Sequence, residues 1–124
     1  DIVVCDKQRK RANVVDKMQI IGDVKDAHVI LVDDMIDTGG TMCRAAEIIM
    51  NEGAKSVRGL CTHPVLSGKA YENIENSAMV ELIVSDTIPA ERKSDKIKVL
   101  TVANLFAMAI HKIHDQESIS TLFI

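Results

Sequence analysis

Short β-branched runs alternate along this chain with stretches whose apolar residues recur at helical spacing. The runs at residues 2–5, 18–21, 28–32, 57–62, 79–85 and 96–100 predict strands. Residues 28–32 are nearly all apolar, the pattern of a strand covered on both faces. Residues 41–51 set Met42, Ala45, Ala46, Ile49 and Met50 on one helical face with Arg44 and Glu47 outside, and Gly53 supplies the stop. Ser67 is placed to cap a second helix reaching about residue 76. Thr101 is placed to cap a third, reaching His114, with Val102, Leu105, Phe106, Ala109, Ile110 and Ile113 as its apolar stripe. Residues 7–13 (KQRKRAN) are too polar to bury and predict an exposed, mobile loop. The tail, residues 117–124, is short and suited to pairing at a sheet edge.

Strands that alternate with helices predict an α/β fold, a three-layer sandwich around a mostly parallel central sheet. In such folds ligands collect beyond the carboxyl ends of the strands. Asp6 and Lys7, Asp33 and Asp34, Thr62 and His63, and Ser85 and Asp86 all fall at such ends.

Composition narrows the classes. A chain of 124 residues suits a single domain, able to bury roughly two thirds of its unfolded surface. Hydrophobic residues make up 47% but aromatics only 2%, so the core is aliphatic with Met as filler. Few aromatics argue against single-stranded nucleic acid, which is held by base stacking. A net charge of -3 gives no pull toward DNA or membranes, although Lys7, Arg9, Lys10 and Arg11 sit almost together. Cys5, Cys43 and Cys61 have no zinc or redox-pair spacing and read as reduced, mostly buried thiols of a cytoplasmic protein. No apolar run is long enough to span a membrane, and there is no signal-peptide pattern. The chain lacks an initiator Met and opens inside an apparent strand, so it is expected to be a piece of something longer.

Candidate chemistry concentrates in residues 32–41 (VDDMIDTGGT), where a buried strand runs through two acids into a glycine loop and a helix start. Gly39 and Gly40 let a ligand approach the backbone, Thr38 and Thr41 add hydroxyl donors, and the helix N-terminus carries about half a positive charge. One phosphate monoester fits such a loop; without GxxxxGKS/T it is not a nucleoside triphosphate P-loop. A plain connecting turn is the bland alternative. A carboxylate pair beside a phosphate is repulsive by about 1 kcal/mol at 4 Å even in water. Asp33 and Asp34 make sense there if they meet sugar hydroxyls or lie near a divalent cation, and a solvated strand end is the alternative.

The stretch Asp33, Asp34, Met35, Ile36, Asp37, Thr38, Gly39, Gly40, Thr41 closely resembles the phosphoribosyl diphosphate signature of type I phosphoribosyltransferase folds. Its form is most similar to the ribose-phosphate pyrophosphokinase family. Asp6, Lys7 and Arg9 resemble that family's catalytic loop. Asn13, the run from Ile20 through Gly22 and Asp23 to Val24, Cys61-Thr62-His63, Leu66-Ser67-Gly68, Asp86-Thr87-Ile88-Pro89, and Ser118, Ser120, Leu122 and Phe123 continue the likeness along nearly the whole chain. Gln8 departs from it, standing where the family often has a further Arg.

The resemblance implies transfer of the β,γ-diphosphoryl group of ATP to the anomeric hydroxyl of ribose 5-phosphate, with Mg²⁺, in a cytoplasmic homo-oligomer of hexamer type. It implies that Asp37, Thr38, Gly39, Gly40 and Thr41 hold the 5-phosphate and that Asp33 and Asp34 meet the ribose hydroxyls. Lys7 and Arg9 close over the transferring diphosphate, Arg9 also touching substrate. Ser118, Ser120 and Phe123 belong to the part that helps form a regulatory phosphate or ADP site between subunits; an edge strand with outward serines is the alternative. The family has two domains of like fold, and this chain resembles most of the second. The adenine pocket and direct metal ligands are therefore expected outside it, and the piece alone is expected to bind weakly and not turn over. A nucleobase phosphoribosyltransferase and a non-catalytic regulatory homologue are the other functions weighed. His63 reads as a packed or solvated histidine or one facing a nucleotide, and His111 and His114 as surface residues.

Overall fold

Chain order and strand order coincide in the main sheet, and that fixes the architecture. A computed structural model describes residues 2, 4–8 and 17–123, apart from the side chains of residues 6–8 and 17. Strands β3 (His28–Ile36), β4 (Ser56–Pro64), β5 (Leu82–Ser85) and β6 (Ile97–Leu100) form a parallel sheet in the order β3-β4-β5-β6. The expected α/β fold with a parallel central sheet is the one observed. Helix α1 (Gly40–Asn51) joins β3 to β4, and α2 (Ala70–Glu75) lies between β4 and β5. Strands β1 (Val4–Gln8) and β2 (Lys17–Ile21) pair antiparallel as a separate ribbon, and α3 (Ala103–His114) follows β6.

The core lies on one face of the sheet. Met42, Ala46 and Ile49 of α1 and Ala70, Tyr71 and Ile74 of α2 bury against Val57, Cys61, Leu82, Val84 and Ile97, with Val29 and Leu31 packed beside them. The packing at its centre is close: a Cβ on Gly59 would stand 2.8 Å from both Leu82 Cδ1 and Met42 Sδ, so those side chains would have to shift.

Several elements depart from their sequence patterns. β1 runs to Gln8 rather than ending at Asp6, with Lys7 paired to Met18, because a two-stranded ribbon needs only backbone hydrogen bonds. Most of the basic loop, residues 9–16, lies outside the described residues. β3 continues through both acids to Ile36, and one of its faces is bare: Ile30 and Val32 are exposed. Ser67 does not cap α2, whose N-cap is Lys69. Met79 is buried but precedes β5. The stripe of α3 buries nothing, and the tail forms a 3-10 turn at Ser120–Leu122 instead of an edge strand. Cys61 is buried and Cys43 half-buried, but Cys5 is exposed.

The end of β5 is tied to the start of α3. Asp86 Oδ1 accepts the Val102 N–H at 2.9 Å. Hydrogen bonds from Thr101 and the Val102 N–H hold this exposed carboxyl below its ordinary range. A depressed carboxyl keeps its tie above the ordinary value near pH 4 and loses it as pH falls further. The Val102 amide resonance should therefore titrate with a midpoint below about pH 4 and stop titrating in Asp86→Asn. A midpoint above that, or none, contradicts the tie.

Candidate functional site

The loop after β3 is held by its backbone conformation and by the β4–α2 connection. Gly39 is the N-cap of α1 with φ 75°, a left-handed conformation that side-chain-bearing residues rarely adopt. Its carbonyl accepts the Cys43 N–H at 3.0 Å, and a Cβ there would meet Ile74 Cγ1 at 3.5 Å. Ile36, buried, anchors the start of the loop, whereas Met35 is exposed and does not share that role. No side chain caps α1 and no acid lies in its first turn, so its N-terminal partial charge has no carboxylate neighbour within the helix.

The other side of the loop is fastened by residues far along the chain. Leu66 and Ser67 donate backbone N–H groups to the Ile36 and Asp37 carbonyls, both at 3.1 Å. Ser67 Oγ donates to Asp37 Oδ1, and Asn73 Nδ2 donates to the Thr38 carbonyl at 2.9 Å. Sequence reasoning missed Ser67 and Asn73 as supports of this loop. Ser67 resembles a helix cap locally, and no local pattern pairs Asn73 with a residue thirty-five positions earlier. Removing one such hydrogen bond costs about 1 kcal/mol, roughly a fivefold effect. Asn73→Ala should weaken inorganic phosphate binding at the loop by about that factor. Unchanged affinity by calorimetry would remove Asn73 from the loop's support.

The sequence-predicted residues Asp33, Asp34, Asp37, Thr38, Gly39, Gly40 and Thr41 thus converge at the carboxyl end of β3. All but Gly39 are exposed. Asp33 Oδ1 accepts the Asp34 backbone N–H at 2.9 Å, which steadies the first acid against its own chain. A Cβ on Gly40 would meet only Thr38 Oγ1, at 3.8 Å, so the space above the helix start is open. An uncapped helix start under an open glycine loop is suited to an anion.

The β1–β2 ribbon borders the same region. Cys5, Met18, Asp33 and Thr41 line one cavity of about 550 Å³, together with Ile30, Val32 and Met42. Lys7 stands two residues beyond Cys5 on β1; Arg9 lies outside the described residues.

At the neighbouring strand ends, His63 Nδ1 lies 3.0 Å from Thr87 Oγ1. Thr87 Oγ1 and Ser85 Oγ both reach the Thr62 carbonyl, at 2.9 and 2.6 Å. This latch ties the ends of β4 and β5 together. Burial pushes the Cys43 and Cys61 thiols up, so neither is poised as a thiolate. Ser118 Oγ donates to Ser120 Oγ at 3.1 Å, and Phe123 is exposed, all after α3 and away from the loop in sequence. Among the described residues no three His, Cys, Asp or Glu converge as a metal cluster, and no helix is long and apolar enough to cross a membrane.

Comparison with known proteins gives a consistent result. Residues 5–124 match the family model of the phosphoribosyl synthetase-associated domain. A ribose-phosphate pyrophosphokinase of Wolinella succinogenes is 55% identical over 124 residues, 100% of this chain and 40% of that protein. One of Campylobacter jejuni is 54% identical over the same span, again 40% of its length. Among solved structures, phosphoribosylpyrophosphate synthetase from Mycobacterium smegmatis superposes with a TM-score of 0.79 at 34% identity, covering 90% of this chain and 37% of that one. The chain therefore spans about 40% of the length of the curated relatives it matches.

Proposed function

This chain belongs to the phosphoribosyl synthetase-associated domain family, and we propose that it is the C-terminal domain of a two-domain ribose-phosphate diphosphokinase. The observation that carries the reading is the loop itself: two exposed acids at the end of β3 precede an open glycine turn at the uncapped start of α1.

The 5-phosphate of ribose 5-phosphate lies against residues 37–41, where backbone N–H groups and the helix charge receive it. The ribose 2- and 3-hydroxyls donate to Asp33 and Asp34. With the sugar fixed at both ends, its anomeric oxygen attacks the β-phosphorus of ATP. The bond from that phosphorus to the α,β-bridging oxygen breaks, AMP departs with the bridging oxygen, and the hydroxyl proton is released. Such a transfer is accelerated by positioning and charge stabilisation. Lys7 and Arg9 supply cations over the transferring group, Arg9 through parallel hydrogen bonds and Lys7 as a point charge.

Mg²⁺ is commonly bound by one or two carboxylates together with substrate phosphates; its direct ligands are read as lying outside this chain, with Asp33 and Asp34 beside it. When bound, the ion neutralises phosphate charge beside Asp33 and Asp34. The adenine pocket and its remaining ligands belong to the other part of the polypeptide, and this piece alone does not turn over. A cytoplasmic homo-oligomer of hexamer type, with Ser118, Ser120 and Phe123 at a regulatory anion site between subunits, completes the reading.

The test is product analysis on the full-length protein. AMP formed from ATP and ribose 5-phosphate in equal amount with phosphoribosyl diphosphate is expected. Diphosphate release that requires a nucleobase instead identifies a phosphoribosyltransferase, and binding without turnover identifies a regulatory homologue.

A further inference from the structure

His63 stands at the carboxyl end of β4, where ligands of parallel α/β sheets collect, and it is exposed. An exposed histidine is ordinarily free to turn, but this one is held from two sides. Its ring Nδ1 lies 3.0 Å from Thr87 Oγ1. Its carbonyl accepts the Val65 N–H at 3.1 Å and the Cys61 thiol at 3.6 Å. Leu66 and Ser67, directly after, bind the Ile36 and Asp37 carbonyls. The histidine and the loop after β3 thus belong to one hydrogen-bonded unit.

The hydrogens available decide what the ring offers. Ser85 Oγ and Thr87 Oγ1 carry one each, and the Thr62 carbonyl has lone pairs for both, at 2.6 and 2.9 Å. Ser85 Oγ in turn accepts the Thr87 N–H at 3.2 Å. With the Thr87 hydrogen on the Thr62 carbonyl, the hydrogen of the His63 contact comes from the ring. Turning the Thr87 hydrogen to His63 would leave one contact fewer satisfied. Ser85 can turn its own hydrogen to Thr87 Oγ1, at 2.9 Å, without changing this result. Neutral His63 is therefore the Nδ1–H tautomer, and Nε2 keeps its lone pair. Among the described residues none donates to Nε2.

We propose that His63 Nε2 takes the proton of the anomeric hydroxyl as that oxygen attacks the β-phosphorus of ATP. The step rests on the proposed reading of the reaction. In that reading two ring hydroxyls of ribose 5-phosphate meet Asp33 and Asp34. The third is the nucleophile, and its hydrogen still needs an acceptor. A nitrogen lone pair suits an O–H donor, whereas ionised phosphate oxygens offer it no hydrogen. Asp37, the remaining carboxylate of the loop, already has Oδ1 engaged by Ser67 Oγ. His63 pairs with Met35, two residues beyond the Asp33–Cys61 pair. One strand across and two residues along set the Cα atoms of Asp33 and His63 about 8 Å apart, a span suited to a pentose between two side chains. In the step the anomeric O–H bond breaks and its proton goes to Nε2. The new O–P bond forms, and AMP leaves with the bridging oxygen and the electron pair of the broken bond. The imidazolium keeps its Nδ1–H on Thr87 and later gives the new proton to solvent.

The test compares wild type, His63→Ala and His63→Gln in the full-length protein. AMP formation is measured at saturating ATP and ribose 5-phosphate, with ribose 5-phosphate affinity by calorimetry beside it. Both variants should turn over about 10²-fold or more slowly, the usual effect of a lost general base, with affinity nearly unchanged. Free imidazole should restore part of the turnover of His63→Ala in proportion to its concentration. His63→Gln should stay slow, because Gln accepts a hydrogen bond but does not hold the proton. Near-normal turnover in either variant, a loss in His63→Ala that imidazole leaves unrepaired, or a matching fall in affinity overturns the step. A wild type that forms no AMP overturns the proposed reaction and this step with it; an active wild type with any of those results overturns the step alone.

Discussion

Lys7→Ala in the full-length protein should lower turnover by about 10²–10³-fold while leaving ribose 5-phosphate affinity nearly unchanged. Removing one preorganised charge aimed at a developing negative charge has an effect of that size. In the proposed reading the sugar phosphate is held elsewhere, by the loop between β3 and α1, so its ground-state binding should not depend on this lysine. Lys7 stands at the polar end of β1, and the basic residues Arg9, Lys10 and Arg11 follow directly in sequence. Saturation kinetics with calorimetry separate the two effects. Near-normal turnover in Lys7→Ala would end the cationic role assigned to it.

The glycine pair gives the second large effect, because the two positions fail for different reasons. Gly39 has φ 75° and is buried beneath Ile74, so Gly39→Val strains the backbone by about 1–3 kcal/mol and distorts the loop. Thermal stability and ribose 5-phosphate binding should fall together. Gly40 is open above its backbone, so Gly40→Val should leave the melting temperature nearly unchanged and still weaken binding by about tenfold or more, through bulk placed at the proposed phosphate seat. Differential scanning fluorimetry beside calorimetry distinguishes the two patterns. Equal stability loss in both variants, or unchanged affinity in Gly40→Val, contradicts a phosphate seat at this turn.

What could be read from sequence follows the range of the interactions involved. The β3–loop–α1 unit is local: an apolar run, two acids, two glycines and a 3.6-residue stripe specify it within about two dozen residues, and Met42, Ala45, Ala46 and Ile49 are buried as their spacing predicts. The extension of β1 through Asp6 and Lys7 was not legible, because backbone pairing in an exposed ribbon tolerates any side chain. The loop's attachment to Ser67 and Asn73 was hidden for another reason: those hydrogen bonds join residues thirty and thirty-five positions apart. The apolar stripe of α3 and the face carrying Val32 have apolar positions that no described element covers. Periodicity states that a face is to be buried and not what buries it. The proposed reaction is legible only by resemblance, since the loop and its acids do not by themselves choose the chemistry.

The central claim is that Asp33 and Asp34 turn a generic anion loop into a sugar-phosphate site. Calorimetry on the full-length protein, comparing ribose 5-phosphate with inorganic phosphate, tests it directly. Wild-type protein should prefer the sugar phosphate, and the double variant Asp33→Asn, Asp34→Asn should lose most of that preference while still binding inorganic phosphate at least as well, since like-charge repulsion is relieved. A preference that survives both substitutions contradicts the account.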